Sequence, residues 1–256
     1  MKALISFAIR YIPRKYLQLF SHWVTLVLSI FYIGNRVECN VCSRHYRKFL
    51  PYGRKARSNA LCPNCLALER HRMMWWYLQS KSNFFEPDHK ILHIAPELCF
   101  IDRFETIHQD NYITADLESP LAKVKLDVLD MPFEESSFDI VFCNHVMEHV
   151  KDDKKAMSEI YRVLKPDGWG IIQIPLFHPL AEKTFEDSSI ISPEAREKAY
   201  GQTDHVRLYG KDYINRLISV GFEAEEVWPK DHLDKEYMKK HALPGDEPIF
   251  LVKKQQ

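Results

Sequence analysis

Short apolar runs alternate with amphipathic stretches over the second half of the chain. Runs of four to eight apolar residues separated by helical patterns are typical of the strands and crossover helices of an α/β fold. Residues 176–209 lack such a pattern, and we expect a long irregular lid or substrate loop there. The predicted strands cover residues 91–94, 112–115, 123–128, 138–143, 170–175, 223–227 and 248–253, with helices at 156–164 and 213–220.

Two helices are predicted at the start of the chain, at residues 2–12 and 16–33. The second has apolar residues at spacings of three and four and an uncharged polar stripe on its other side. Its length of about 18 residues is at the short limit for a membrane span, so a packed or membrane-surface helix is the favoured interpretation. A later helix, at 66–78, carries Trp75 and Trp76, whose predicted role is core packing.

Charge is distributed unevenly, although the 256 residues have a formal net charge of zero. Residues 1–72 contain 13 Lys and Arg against two acids, Glu38 and Glu69, so this segment is +11 and the remaining 184 residues are −11. A basic segment of this kind indicates a polyanionic partner, either anionic lipid or nucleic acid. Docking of the basic segment on the acidic part of the chain is the alternative.

Four of the six cysteines form two closely spaced pairs, Cys39-x-x-Cys42 and Cys62-x-x-Cys65, with nineteen residues between them. This spacing fits a four-cysteine zinc site, in which four thiolates lie about 2.3 Å from one ion. Two disulfides or unligated thiols are the alternatives, and disulfides would require an oxidising compartment. The sequence therefore predicts a structural zinc ion.

Two segments, FDIVFCNHVMEHV at 138–150 and RVLKPDGWGIIQIP at 162–175, follow strands that end in acidic residues. In this order they resemble the class I S-adenosylmethionine-dependent methyltransferases of the type-11-like group, over roughly residues 89–252. The resemblance implies a seven-stranded, mostly parallel Rossmann-like sheet with helices on both faces. We predict three parts: an N-terminal basic and apolar helical segment (1–35), the zinc module (36–72) and the methyltransferase domain (73–256).

Acids at the carboxyl ends of parallel strands can hold a nucleoside-like ligand. Asp116 has the position and spacing of a ribose-binding carboxylate, and the resemblance assigns Asp127 to the adenine amine. The first loop, residues 95–99, has no glycine and so departs from the family pattern; there Glu97 is the candidate for the ammonium group of the cofactor. The predicted cofactor contacts are His93, Ala95, Glu97, Asp116, Leu117, Asp127, Val128 and Asn144.

A hydroxyl acceptor needs a base, and imidazole titrates near neutral pH. His145, His149 and His205 are the candidates. The predicted acceptor contacts are Asp204, Arg207 and Tyr209, of which Arg207 would suit an anionic group. Residues 145–149 also spell H-x-x-E-H, a zinc-peptidase pattern, but no third ligand is evident and the position after a strand favours the methyltransferase interpretation.

The sequence thus predicts an S-adenosylmethionine-dependent methyltransferase that acts on a small-molecule or glycan-like acceptor. One alternative is a ribosomal RNA base methyltransferase with an N-terminal zinc module, although nucleic acid is the less favoured partner. The other is a non-catalytic binding or scaffold protein that has lost the chemistry. The predicted location is the cytoplasm, with peripheral membrane contact through residues 1–35.

Overall fold

The computed structural model describes residues 25–53 and 56–255. The predicted helix at 2–12 and most of that at 16–33 lie outside these residues; the described end of the second is helical at 25–29 and gives way to a strand at Ile33. The helices are α1 (Glu69–Lys81), α2 (Leu98–His108), α3 (Asp153–Val163), α4 (Pro193–Tyr200), α5 (Tyr213–Ser219) and α6 (Lys235–Lys240). The strands are β1 (Ile33–Cys39), β2 (Arg44–Tyr46), β3 (Leu50–Tyr52), β4 (Arg57–Leu61), β5 (Ile91–Ile94), β6 (Tyr112–Asp116), β7 (Val124–Lys125), β8 (Phe138–Asn144), β9 (Leu164–Gln173), β10 (Phe185–Glu186), β11 (Arg207–Leu208), β12 (Glu223–Val227) and β13 (Ile249–Lys253).

The described residues form two compact units. The first contains residues up to 85 together with 97–103 and 228–246, so it takes in more of the chain than the predicted module of 36–72. The second contains residues 86–96, 104–227 and 247–255. Within the described ranges, no helix has the length and apolar character that crossing a bilayer requires.

Two antiparallel hairpins, β1–β2 and β3–β4, carry the cysteine pairs of the first unit. Helix α1 follows and is buried over eight consecutive residues, which a helix achieves only when protein surrounds it on all sides. Trp75 and Trp76 are both buried, and the Trp75 ring stacks on Phe100 at a centroid distance of 6.1 Å. The predicted packing role of the two tryptophans is confirmed.

The second unit is built on a seven-stranded sheet with the order β12-β13-β9-β8-β5-β6-β7. Strands β5 to β9 pair in parallel, and β13 runs antiparallel to both of its neighbours. Leu92 of β5 packs in the core with Ala156 and Ile160 of α3, whereas His93 faces Phe104 of α2 on the other side of the sheet. The predicted mostly parallel sheet with helices on both faces is confirmed.

Two further predicted segments differ from the structure. Residues 176–209 are mostly irregular, as predicted, but contain short regular elements: β10 pairs with β11, and α4 is capped by Ser192 and ends at Gly201 in the left-handed conformation. These elements are short and mostly polar, so they leave little apolar periodicity in the sequence. The third predicted strand, 123–128, shortens to β7 because the backbone turns between Asp127 and Asp130.

Candidate active site and zinc centre

The carboxyl ends of β5, β6 and β8 lie side by side at one edge of the sheet. Ile94 is in register with Ala115 of β6 and with Cys143 of β8. The next residues along each strand, Ala95, Asp116 and Asn144, therefore reach the same rim. Ligands of open α/β sheets bind at this edge, outside the carboxyl ends of the strands.

Ala95 stands where the family pattern places a glycine. Its φ is 53°, in the left-handed region, and its N–H donates to the Ala115 carbonyl at 2.9 Å. The turn conformation that favours glycine is thus kept by a residue with a Cβ, at a cost of roughly 1–2 kcal/mol. The first loop therefore adopts a conformation typical of glycine at a position that holds alanine.

Asp116 ends β6 and lines an open cleft. Its Oδ1 accepts hydrogen bonds from the backbone N–H groups of Glu118 and Ser119, at 2.8 and 2.6 Å. Its Oδ2 has no hydrogen-bond partner among the described residues and remains available to a ligand. The cleft has a volume of about 370 Å³ and is also lined by Leu117 and Lys125. This arrangement fits a carboxylate that accepts from sugar hydroxyls.

Asp127 lies at the same edge, because it follows β7, whose Lys125 is in register with Asp116. Its carboxylate is exposed and accepts from the Leu129 N–H at 2.9 Å, but it does not line the Asp116 cleft. Val128 is buried. The assignment of Asp127 and Val128 to the adenine remains a prediction.

Two predicted cofactor contacts have other surroundings. His93 is 0% exposed, its Nδ1 lies 2.7 Å from the Tyr112 hydroxyl, and its ring packs against Phe142. A side chain enclosed in this way contributes to core packing, and the cofactor role of His93 stays a prediction. Glu97 belongs to the first unit, where its Oε1 lies 3.8 Å from His71 Nε2, and its cofactor role stays a prediction.

Four of the predicted catalytic and acceptor residues meet around Glu148. We call His145, Glu148, His149, Asp204 and His205 the rim cluster. His145 Nδ1 and His149 Nε2 lie 3.5 and 3.9 Å from Glu148 Oε1, and His149 Nδ1 lies 3.4 Å from Asp204 Oδ2. The rings of His149 and His205 meet edge to face, with centroids 4.8 Å apart.

The members of the rim cluster differ in burial and in pKa. Burial is the largest single influence on Glu148 and raises its pKa, but the hydrogen bond and charge of His145, together with the charge of His149, keep the pKa of Glu148 below its usual value. Burial lowers the pKa of His205, so its imidazole is neutral at physiological pH. His145 and His149 are only partly exposed but are the two imidazoles of the cluster that solvent reaches. They are therefore better placed as bases than His205, which is enclosed.

The predicted acceptor residues Arg207 and Tyr209 do not face a ligand. Arg207 is 2% exposed; it donates to the carbonyls of Met147, Val150 and Lys151 and pairs with Glu186 Oε2 at 3.0 Å. The Tyr209 hydroxyl donates to Asp153 Oδ2 at 2.8 Å, and burial raises the pKa of Tyr209. These donors are already used inside the fold, so the contacts give the predicted acceptor roles no support and both roles stay predictions. Arg207 instead holds the loop that carries Glu148 and His149.

A larger open cleft of about 980 Å³ lies in the same unit, beside residues 151–154. Its charged walls pair with one another: Arg216 bonds Glu186 at 2.6 Å and Asp153 at 3.0 Å. These three charged groups of the cleft wall therefore satisfy one another.

The four predicted zinc ligands converge in the first unit. None of the six cysteines, all of which the structure describes, forms a disulfide; Sγ of Cys39 lies 3.6 Å from that of Cys65, and Sγ of Cys42 lies 3.7 Å from that of Cys62. These separations are far too long for disulfides, and they match the edge of about 3.8 Å expected for a tetrahedron with 2.3 Å zinc–sulfur bonds. Hydrogen bonds among the four thiols lower the pKa of Cys42 and Cys62 and raise the pKa of Cys39 and Cys65, so two of the four groups readily take the thiolate form that binds metal.

Arg72 ties the cysteine module together. Its side chain is fully buried and donates to the carbonyls of Ala60, Ala67, His241 and Ala242, which belong to three separate segments. A zinc ion with four thiolates would carry two net negative charges, and the buried guanidinium, which interacts electrostatically with Cys39, Cys62 and Cys65, would offset part of this charge. The residues present therefore fit a structural zinc ion.

Comparison with known proteins supports the fold assignment. Residues 101–172 match the family model described as "Methyltransferase domain". This segment contains Asp116, Asp127 and residues 144–149, so it includes most of the rim. The predicted resemblance to class I methyltransferases is confirmed.

Individual relatives overlap with part of the chain. The sterol 24-C-methyltransferase of Debaryomyces hansenii is 33% identical over 125 residues, which are 47% of this chain and 30% of that protein. The 2-phytyl-1,4-naphtoquinone methyltransferase of Trichormus variabilis is 30% identical over 118 residues, 41% of this chain and 51% of that protein. The chain thus spans about a third of the first relative's length and about half of the second's. A solved S-adenosylmethionine-dependent methyltransferase from Mesorhizobium loti is 18% identical with a TM-score of 0.45, covering 70% of this chain and 95% of that one.

Proposed function

We propose that this protein transfers a methyl group from S-adenosylmethionine to a small-molecule acceptor. The observation that carries the proposal is the coincidence of the methyltransferase-domain segment, 101–172, with the sheet edge where Asp116 and residues 144–149 meet. The names of the relatives support an acceptor of the sterol or quinone kind, since both are methyltransferases of small apolar molecules.

Some residues at this edge are placed to contact the cofactor and others to contact the acceptor. When bound, the cofactor supplies an activated methyl group on a sulfonium. Asp116 Oδ2 would accept hydrogen bonds from the ribose hydroxyls, and the left-handed turn at Ala95 leaves backbone free to approach the ligand. On the acceptor side, His145 or His149 would take up the proton that a hydroxyl loses. Methyl transfer needs little more than positioning and exclusion of water.

Calorimetry with S-adenosylmethionine and S-adenosylhomocysteine tests the cofactor assignment. The Asp116→Asn variant should bind both about 10- to 100-fold more weakly, because it replaces charge-assisted hydrogen bonds with neutral ones. Asparagine can still accept from the Glu118 and Ser119 N–H groups, so the turn is preserved.

Asp110→Asn is the matched control, because Asp110 is an exposed acid just before the opposite end of the same strand, β6. It should leave affinity unchanged. If the unmodified protein gives no heat with either ligand, the scaffold alternative replaces the proposal. If Asp116→Asn and Asp110→Asn bind equally well, the ribose role of Asp116 is wrong.

The acceptor can be found with a labelled methyl donor. We expect label to enter an organic extract of small molecules incubated with the protein. Label in ribosomal RNA, with none in the extract, would instead support the RNA alternative and overturn the proposed acceptor class.

A further inference from the structure

We infer that Glu148, His149 and His205 form a binding site for a divalent transition-metal ion, separate from the four-cysteine centre. A carboxylate oxygen of Glu148 and a ring nitrogen of each histidine lie within 4.8 Å of one another. Zinc–ligand bonds of about 2.0–2.2 Å place ligand atoms roughly 3–4 Å apart, so small side-chain rotations suffice to close the site.

Burial gives the second observation. Glu148 is 2% exposed and its Oε2 has no hydrogen-bond partner among the described residues. His205 is 1% exposed, and neither of its ring nitrogens makes a hydrogen bond of normal geometry with a described residue. Buried polar groups are nearly always satisfied, and leaving them unpaired is unfavourable. A cation at this point would satisfy the carboxylate and one imidazole nitrogen together.

The two nitrogens of His149 have different partners. Its Nε2 faces Glu148, whereas its Nδ1 lies 3.4 Å from Asp204 Oδ2. A carboxylate on the far nitrogen is the usual support of a metal-binding histidine, because it fixes the tautomer and orients the ring. With the ion bound, both nitrogens of His149 are used, so the role of proton acceptor falls to His145, which lies 3.5 Å from Glu148 Oε1.

The backbone holds the two ligand segments together. The Val206 N–H, next to His205, donates to the Glu148 carbonyl at 2.9 Å. Arg207 fixes the Met147 and Val150 carbonyls on either side of Glu148 and His149. The ligands are therefore positioned before any ion binds.

The donor set indicates the kind of ion. Two imidazoles and one carboxylate suit zinc and neighbouring first-row metals, whereas magnesium and calcium prefer oxygen donors alone. Three protein ligands leave a coordination position open, as in catalytic sites. If the proposed methyl transfer is correct, that position would hold an oxygen of the acceptor and lower its pKa; metal binding itself does not depend on methyl transfer.

Cobalt(II) titration of the metal-free full-length chain distinguishes the two sites. Cobalt in the four-cysteine centre gives intense thiolate charge-transfer bands, which a site of imidazoles and a carboxylate cannot give. We expect two cobalt ions per chain, the second adding only weak visible bands. The variant Glu148→Gln/His205→Gln should bind one ion and keep the charge-transfer bands, which also show that the cysteine module is folded. His232→Gln, at an exposed histidine, should still bind two.

Asp204→Asn provides a test that does not disturb the core, because Asp204 is largely exposed. It should weaken the second ion by about 10-fold or more through the loss of support for His149, while Asp110→Asn leaves it unchanged. One cobalt ion per chain in the unmodified protein, or a second ion unaffected by these variants, would overturn the site. A second ion without binding of S-adenosylmethionine would leave the metal site standing and reject the proposed function.

Discussion

The left-handed turn at Ala95 predicts that a glycine would stabilise this protein. An L-residue at φ 53° costs roughly 1–2 kcal/mol, and the following Pro96 opposes this conformation further by favouring an extended backbone before it. Glycine loses about 0.4–1 kcal/mol more conformational entropy on folding than alanine does. The free energy of unfolding of Ala95→Gly should therefore increase by about 0.5–1 kcal/mol, or about 1–4 °C in the thermal midpoint of a chain of this size.

Ala115→Gly is the matched control for this experiment. Ala115 is fully buried in β6, and its carbonyl accepts the Ala95 N–H. Replacing alanine by glycine there should lower the free energy of unfolding by about 0.5–1 kcal/mol, because glycine is unfavourable within a strand, and by about 0.8 kcal/mol more, because a buried methyl group is removed. Calorimetric scans of the zinc-loaded proteins should show opposite shifts for the two variants. A fall in the midpoint of Ala95→Gly as large as that of Ala115→Gly would refute the assignment of strain to this turn.

Four further predictions address other parts of the structure. Removal of zinc by a chelator should unfold the cysteine module, seen as a lost unfolding transition that added zinc restores. The Arg162 guanidinium lowers the pKa of Glu159 to about 2, so the ionised Glu159 stabilises the fold above about pH 4.5 and this stabilisation is lost as pH falls towards 2. Urea unfolding should show the free energy of unfolding falling by about 1–2 kcal/mol over this range, a fall that the Glu159→Gln variant lacks. If residues near 27–33 contact lipid, Phe31→Ser should reduce pelleting with anionic vesicles about fivefold, since Phe31 is exposed; equal pelleting would reject that contact. His145→Asn should keep its stability, because asparagine tolerates the left-handed conformation at φ 56°, but lose methyl transfer if His145 is the base.

The sheet could be predicted because each strand leaves a local signal. Strands β5 and β12 were predicted with the bounds that the structure shows, since each is a short segment bounded by turn residues. The zinc ligands could be predicted for the same reason, because each cysteine pair lies within one short turn. Segment 176–209 could not, since its pairing of β10 with β11 joins residues more than twenty positions apart.

The roles of buried polar side chains depend on partners that the sequence does not show. Arg207 has the residue type of an anion-binding group, but its guanidinium is used by backbone carbonyls of residues 147–151. For His205 the sequence showed too little. The H-x-x-E-H pattern at 145–149 was visible, but the third residue of the proposed metal site was not, because His205 lies 56 residues beyond His149 and is brought there by the fold. A further histidine elsewhere in a chain that carries this incomplete pattern is the signal that could have identified the site.

The two strand ends at the rim share an unusual backbone. Ala95 follows β5 and His145 follows β8, and both residues are in the left-handed region although neither is glycine. Strain of this kind persists only where the surrounding structure enforces it, and it occurs preferentially where a ligand or a reaction needs a particular backbone course. Here the parallel pairing of β5 with β8, and the hydrogen bonds that Arg207 donates to backbone carbonyls, hold the two positions in this conformation. The first turn exposes backbone beside Asp116 and the second aims His145 at Glu148, so both strained positions lie where the cofactor and acceptor are proposed to meet.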